Sequence, residues 1–380
     1  WGGLPQLTQA ITADTSASQL QWSFDGGLMK SSMICERVAE HCSVEVLQYA
    51  YLNGCELCEN ACFKGAARGK LQMIQWAIGK NRSWRQVLCK AAAAGGSLRI
   101  IKWAHANGCP WDGTIGSEAA GGGHLDILQW GRSENCPWNS DTCSKAAGGG
   151  HLDILQWARA QGCPWDHATC SSAAAGGHLE LLQWARSNGC PWNEMTCAFA
   201  ASAGRLDILQ WARARGCPWD TSTCSQAAGK GHLEVLKWAQ GNGCPWDEGT
   251  CSAAAAGGNL RIMKWARANG CPWDSSSCGE AAGLGRLDIL QWARSRGCPW
   301  DARTCSQAAE GGHLRVLQWA RARGCPWESG TCERAASGGH LEVLQWARAN
   351  GADWKAFTTF SAVAGGHLDL LQWALAEGCP

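Results

Sequence analysis

Every 27 residues this chain returns to the same kind of amino acid. Trp22, Tyr49, Trp76, Trp103 and their successors as far as Trp373 form one row of fourteen, with no insertion anywhere in the register. A second Trp row runs through Trp84, Trp111, Trp138 and Trp165 to Trp354. Two Cys rows keep the same period, one through Cys109, Cys136, Cys163 and Cys190, the other through Cys143, Cys170, Cys197 and Cys224. A unit this short cannot enclose a core, so its neighbours must complete its fold. The 380 residues would otherwise suggest two or three globular domains.

A typical unit, residues 142–168, reads TCSKAAGGGHLDILQWARAQGCPWDHA. Thr142 is placed to cap a short helix through Ser144, Lys145, Ala146 and Ala147, which Gly148, Gly149 and Gly150 then stop. His151 begins a second helix, in which Leu152, Leu155 and Ala158 share a stripe with Ile154 and Trp157 beside it. Gly162 closes that helix, and Cys163, Pro164, Trp165 and Asp166 form the connector. Neither helix is long enough to persist alone, so stacking must supply the core. The expected fold is an all-α, helix-turn-helix repeat solenoid, its fourteen units spanning roughly 110–140 Å at ordinary helix spacing.

The segment from Thr142 to Gly162 resembles the ankyrin repeat, whose pattern T-P-L-H-x-A-A-x-x-G-H-L-E-x-V is matched by Thr142, Ala146, Ala147, Gly150, His151, Leu152 and Asp153. Residues 169–189 and 331–351 match in the same way, and the likeness extends over residues 34–380. Ankyrin repeats have a period of about 33 residues, so about six residues are missing between Gly162 and Thr169, which would shorten or delete the β-hairpin finger. Cys143 and Lys145 stand where the family has Pro and His, and Trp157 takes a Leu position. The resemblance implies a short, Trp- and Cys-rich ankyrin-like variant. It also implies that protein partners bind a concave face lined by the first helices. On this reading residues 1–33 are a degenerate N-terminal capping repeat and residues 34–380 an array whose last repeat is truncated. Phe357, Phe360, Val363 and Leu375 make that last repeat more apolar than the others.

Net charge is +1, from 33 basic and 32 acidic residues, so no strongly charged partner is announced. A basic track exists at Arg132, Arg159, Arg186, Arg213, Arg267, Arg294, Arg321 and Arg348. It is offset by an acidic row, including Asp126, Asp153, Glu180 and Asp207, and by Asp166, Asp220, Asp247 and Asp274 after the connector Trp. Such rows on a repeat array are usually solvated faces or inter-repeat pairs. Nucleic acid is therefore disfavoured, because base-stacking platforms need a net basic track.

The His row, with His124, His151, His178, His232, His313, His340 and His367, is replaced elsewhere by Ser97, Arg205, Asn259 and Arg286. Those substitutes share hydrogen bonding, not metal ligation, and point to capping or bridging of turns. Of the cysteines only Cys55 and Cys58 approach a zinc-type spacing, without a second pair. Pairing across the connector, seven residues apart as in Cys136 and Cys143, leaves Cys35, Cys89 and Cys109 without partners. The thiols are expected to be reduced, buried and structural, with no metal and no cofactor. Reduced thiols suit an intracellular compartment, the cytoplasm first. An organelle such as a plastid stays open because the sequence starts at Trp1. No apolar stretch is long enough for a transmembrane helix.

No P-loop, nucleophile elbow or H-E-x-x-H motif is present, and an enzyme is not expected. Specificity should lie where the unit varies along one face. The first-helix track Lys145, Ser172, Phe199, Gln226, Ala253, Glu280, Gln307 and Arg334 qualifies, as does the connector track with His167, Glu194, Met195, Glu248, Arg303 and Ser329. Phe199 and Met195 are the preferred apolar anchors. The expected function is a non-catalytic protein-binding scaffold, or a linker subunit of a larger complex. The alternative is an anionic polymer or a peripheral membrane surface along the Arg row.

Overall fold

The computed structural model describes residues 11–379, apart from positions 14, 26, 82, 83, 110, 328 and 329. The first ten residues of the expected cap, Ser329 of the connector track and Pro380 lie outside that set. The chain divides into two compact units, Trp1–Trp192 and Asn193–Pro380. In the first, the helix Ala17–Asp25 is followed by six helix pairs, from Ser32–His41 with Val44–Leu52 to His167–Gly176 with Leu179–Ser187. The second holds seven pairs, from Glu194–Ser202 with Leu206–Ala214 to Ala356–Ala364 with Leu368–Ala376. No strand occurs among the described residues. Within each unit, first helices pack on first helices of the next repeat and on their own second helix. Each unit is an all-α solenoid of helix-turn-helix repeats.

The first helix begins three residues earlier than the Thr row suggests. In the repeat around Thr142 it runs Ser140–Gly149, and Asn139 is the cap, its side-chain oxygen accepting from the Asp141 N–H at 3.2 Å. Asp166, Asp220 and Asp247 do the same in later repeats, at 2.9–3.0 Å. The last connector residue thus starts the next helix, satisfying one of its orphan donors. Thr142 instead lies inside the helix and is wholly buried.

Both helices of this repeat end on a left-handed glycine, Gly150 at φ 79° and Gly162 at φ 80°. At the second end the Cys163 N–H donates to the Ala158 carbonyl and the Gly162 N–H to that of Arg159, the paired bonds of a Schellman turn. The chain therefore leaves this second helix in one fixed direction, which carries the connector back beside the first helix of its own repeat.

The core holds part of the stripe the periodicity marks, since Leu152 and Trp157 are only half-buried. Ile154, Leu155 and Ala158 are fully buried, together with Cys143, Ala146 and Ala147 from the first helix. First helices approach each other through small residues. A Cβ added at Gly149 would stand 2.6 Å from the carbonyl oxygen of Gly121, and one at Gly257 would stand 2.0 Å from that of Gly229. Among the described residues no helix is long and apolar enough to cross a membrane.

Replacing the cap in one repeat, Asp220→Ala, should cost about 1 kcal/mol. Urea unfolding followed by circular dichroism should show the midpoint fall while the helical content before the transition is unchanged. An unchanged midpoint would mean that Asp220 does not cap.

Candidate interaction surfaces

On the second-helix side the Arg row is used by the fold itself. Each guanidinium stacks on the connector Trp six residues later, as in Arg159 on Trp165 and Arg213 on Trp219, at 4.0–4.2 Å from the ring centre. One N–H of the same guanidinium donates to the connector carbonyl, as in Arg132 to Cys136 at 3.3 Å and Arg348 to Ala352 at 2.7 Å. The connector Trp then meets the helix Trp of the next repeat edge-on. Trp165 and Trp184 are 6.0 Å apart, and Trp273 and Trp292 are 5.8 Å apart. Cation, connector and next repeat are thus fastened in series, each contact worth about 0.5–1.5 kcal/mol. The row expected to be a solvated face or an inter-repeat ion-pair ladder is a stacked, hydrogen-bonded one.

The histidines bridge repeats as well. The Nε2–H of His151 donates to the Gly121 carbonyl at 3.2 Å, that of His178 to Gly148 at 3.2 Å, and that of His232 to Ser202 at 3.1 Å. Each carbonyl lies near the end of the preceding first helix, among the acceptors a helix end leaves without partners. Asn259 reaches the Gly229 carbonyl with its side-chain amide at 3.0 Å, which explains Asn as a substitute. None of these His side chains caps its own helix.

The cysteines pair differently from the sequence expectation. Partners are 20 residues apart within one repeat, not seven apart across the connector. Cys143 shares a hydrogen bond with Cys163, Cys170 with Cys190 and Cys305 with Cys325. Cys35, which seemed an orphan, pairs with Cys55. Cys89 and Cys109, two further apparent orphans expected as free thiols, are joined in a disulfide. The connector thiol also donates to the carbonyl of its own repeat's cap residue, as in Cys163 to Asn139 at 3.5 Å and Cys190 to Asp166 at 3.4 Å. The folding back of the connector explains the pairing: it lays Cys163 against the start of its own first helix. Burial pushes the remaining thiols up, Cys136 to about 11 and Cys62 and Cys332 to about 12. No group of three or more His, Cys, Asp or Glu that could hold a metal occurs among the described residues.

The first-helix track occupies equivalent positions on successive first helices. Lys145 and Arg334 are exposed, whereas Phe199, Gln226, Glu280 and Gln307 are half-buried. Lys145 pairs with Glu118 at 3.3 Å and Arg334 with Glu310 at 2.8 Å, both in the preceding repeat. Gln307 leans on Gly279, whose missing side chain leaves the room. At the helix starts His167, Met195 and Arg303 are exposed and Glu194 is half-buried. Arg303 pairs with the cap Asp301 at 3.3 Å. A variable, largely polar face therefore runs along the first helices in each unit; Met195 is an exposed apolar residue at its helix start, as is Phe357 at the same position of the last repeat, where Phe360 and Val363 are exposed too.

No protein-family model matches the chain, and no curated protein matches it. Among solved structures it is similar to the human ASB11 ankyrin repeat domain, at 16% identity and a TM-score of 0.34, over 41% of this chain and 84% of that one. It is also similar to the pentatricopeptide repeat protein PPR10 in complex with an 18-nt psaJ RNA element, at 14% identity and a TM-score of 0.37, over 99% of this chain and 69% of that one.

Arg213→Lys keeps the charge but loses the planar stack and the fixed N–H, and should lower stability by about 1 kcal/mol. Added salt should leave that difference unchanged, whereas a purely charge-based role would give no difference, because Lys keeps the charge. Cys62, Cys136 and Cys332, whose thiols burial pushes up, give a pH dependence of definite sign. Below the ordinary thiol value of 9.0 they do not affect stability. Above it the unfolded chain ionises first, and stability falls until the pH reaches about 12, where Cys62 and Cys332 ionise in the fold. Urea midpoints should be lower at about pH 10.5 than at about pH 8, and Cys332→Ala should narrow the gap.

Proposed function

We propose that the chain is a non-catalytic, protein-binding scaffold or a linker subunit of a larger assembly, with its partner surface on the first-helix and connector tracks. One observation carries this reading. Most contacts that hold the repeats together recur from copy to copy, while Lys145 in the first unit and Phe199, Gln226, Glu280, Gln307 and Arg334 in the second, at equivalent positions of their first helices, differ in charge, size and polarity. Stacking does not require that variation, and a partner with its own sequence of contacts would use it. His167, Glu194, Met195 and Arg303 extend the surface at the helix starts.

The ankyrin-like pattern of the repeats supports the same reading, and on it residues 1–33 are a capping segment and residues 34–380 the array. The Arg row is a weaker candidate for an anionic partner, since each guanidinium already gives one face to a connector Trp and one N–H to a connector carbonyl.

A photo-crosslinking side chain at Met195 or Gln226 should capture the same protein from native extract at low and at high salt. The same probe at Gln210, exposed on a second helix, should not. Met195→Asp with Phe199→Asp should abolish the adduct. Equal adducts from both faces, or none from the first-helix face, would sink the proposal.

A further inference from the structure

Of three consecutive second helices of the second unit, Leu260–Ala268, Leu287–Ser295 and Leu314–Ala322, the outer two carry no acidic residue in their first turn, as Leu98–Ala106 of the first unit also does not. The usual second helix carries a carboxylate in its first turn and an Arg in its last, as at Asp207 and Arg213. Here Arg261 and Arg315 take the carboxylate position, and Lys264 takes a position that is Gln in most repeats. Arg296 and Arg323 follow the helices where Asn, Gln or Glu mostly stands. Together with Arg267, Arg294 and Arg321 these make eight cations against one carboxylate, Asp288. The near-zero net charge of the chain conceals this local excess.

The cations lie among indoles. Lys264 stands 6.0 Å from the Trp292 ring centre and Arg323 4.5 Å from that of Trp319. A groove of about 610 Å³ is lined by Lys264, Arg267, Ala268, Trp273, Trp292 and Arg296. A second, of about 490 Å³, is lined by Gln291, Arg294, Ser295, Trp300, Trp319 and Arg323. Neither has a carboxylate in its wall, and among the described residues none of the eight cations makes an ion pair. The two grooves lie one repeat apart and share their chemistry. A ligand filling both must repeat negative charge and flat rings along its length. Acidic peptides, sulfated sugars and lipid headgroups bring the charge without a regular series of ring faces. A nucleic acid duplex hides its base faces, whereas a single strand presents phosphates and open bases together.

We propose that this face binds single-stranded nucleic acid, with phosphates on Lys264, Arg296 and Arg323 and bases against the indoles of Trp292 and Trp319. The site is distinct from the first-helix surface and does not depend on the scaffold reading.

The test is fluorescence anisotropy of the full chain with a labelled single-stranded oligonucleotide of roughly twelve nucleotides, within the range of known single-strand grooves. An abasic oligomer with the same number of phosphates and a vesicle of anionic lipid serve as competitors. Affinity should fall as salt rises, and the abasic oligomer should bind about tenfold more weakly, because base stacking is lost. Lys264→Glu with Arg296→Glu and Arg323→Glu, all at exposed positions, should weaken binding at least about tenfold by reversing phosphate contacts. Lys237→Glu should change it less than about twofold, since Lys237 holds the Lys264 position one repeat earlier and is paired with Glu234 at 2.9 Å. Asp288→Lys should tighten binding, a gain that misfolding of a variant cannot produce. Equal affinity for the abasic oligomer, tighter binding to the vesicle, an unaffected triple variant or no binding at low salt would each overturn the proposal.

Discussion

Gly149 sits so close to the preceding repeat that a Cβ there would press within 2.6 Å of the Gly121 carbonyl oxygen, and the same approach recurs at Gly257 against Gly229. Because first helices meet almost backbone to backbone, little but Ala, Gly, Ser, Cys and Thr can stand between them. The bulk of the apolar side chains therefore falls to the second helices, where Ile154 and Leu155 are fully buried. The close approach also brings the end of one first helix within reach of the next repeat's histidine. The His row and the Ala-rich first helix are thus two results of one spacing.

Each repeat is closed in two directions. The connector latches onto its own first helix through the thiol pair and the Cys163 bond to Asn139. Across repeats, His151 and the Trp165 to Trp184 contact tie one copy to the next. Almost every distinctive residue of the unit is used in one of these fastenings. What remains variable is the outer part of the first helices and the solvent side of the second, which is where recognition has room to operate.

The period made most of the architecture legible. Two helices per unit, glycines at their ends, and Leu155 and Ala158 inward all follow from residue spacing. What it could not disclose was which rows fold onto one another, because a period identifies equivalent residues and not their neighbours. The thiol partner of Cys143 is Cys163 in the connector ahead, not Cys136 in the connector behind, because Gly162 turns the chain back. Thr142 looked like a cap, but Asn139 and its Asp counterparts cap instead, hidden within what read as a charge row. Arg159 was legible as a charge and not as a stacking partner for Trp165, a contact that needs the connector to cross the helix end. The basic grooves were missed because averaging over the rows cancels a departure carried by a few repeats.

An array joined by interchangeable contacts has one consequence for its lineage. The carbonyl His178 finds at Gly148 is equivalent to the one His151 finds at Gly121, so a segment of one whole period could be gained or lost and the flanking copies would reseal. Array length is then free to drift by duplication and deletion, except where neighbouring copies have diverged together. The run from Leu260 to Arg323 is such a place: removing one unit there would preserve the fold and break the alignment of the two grooves.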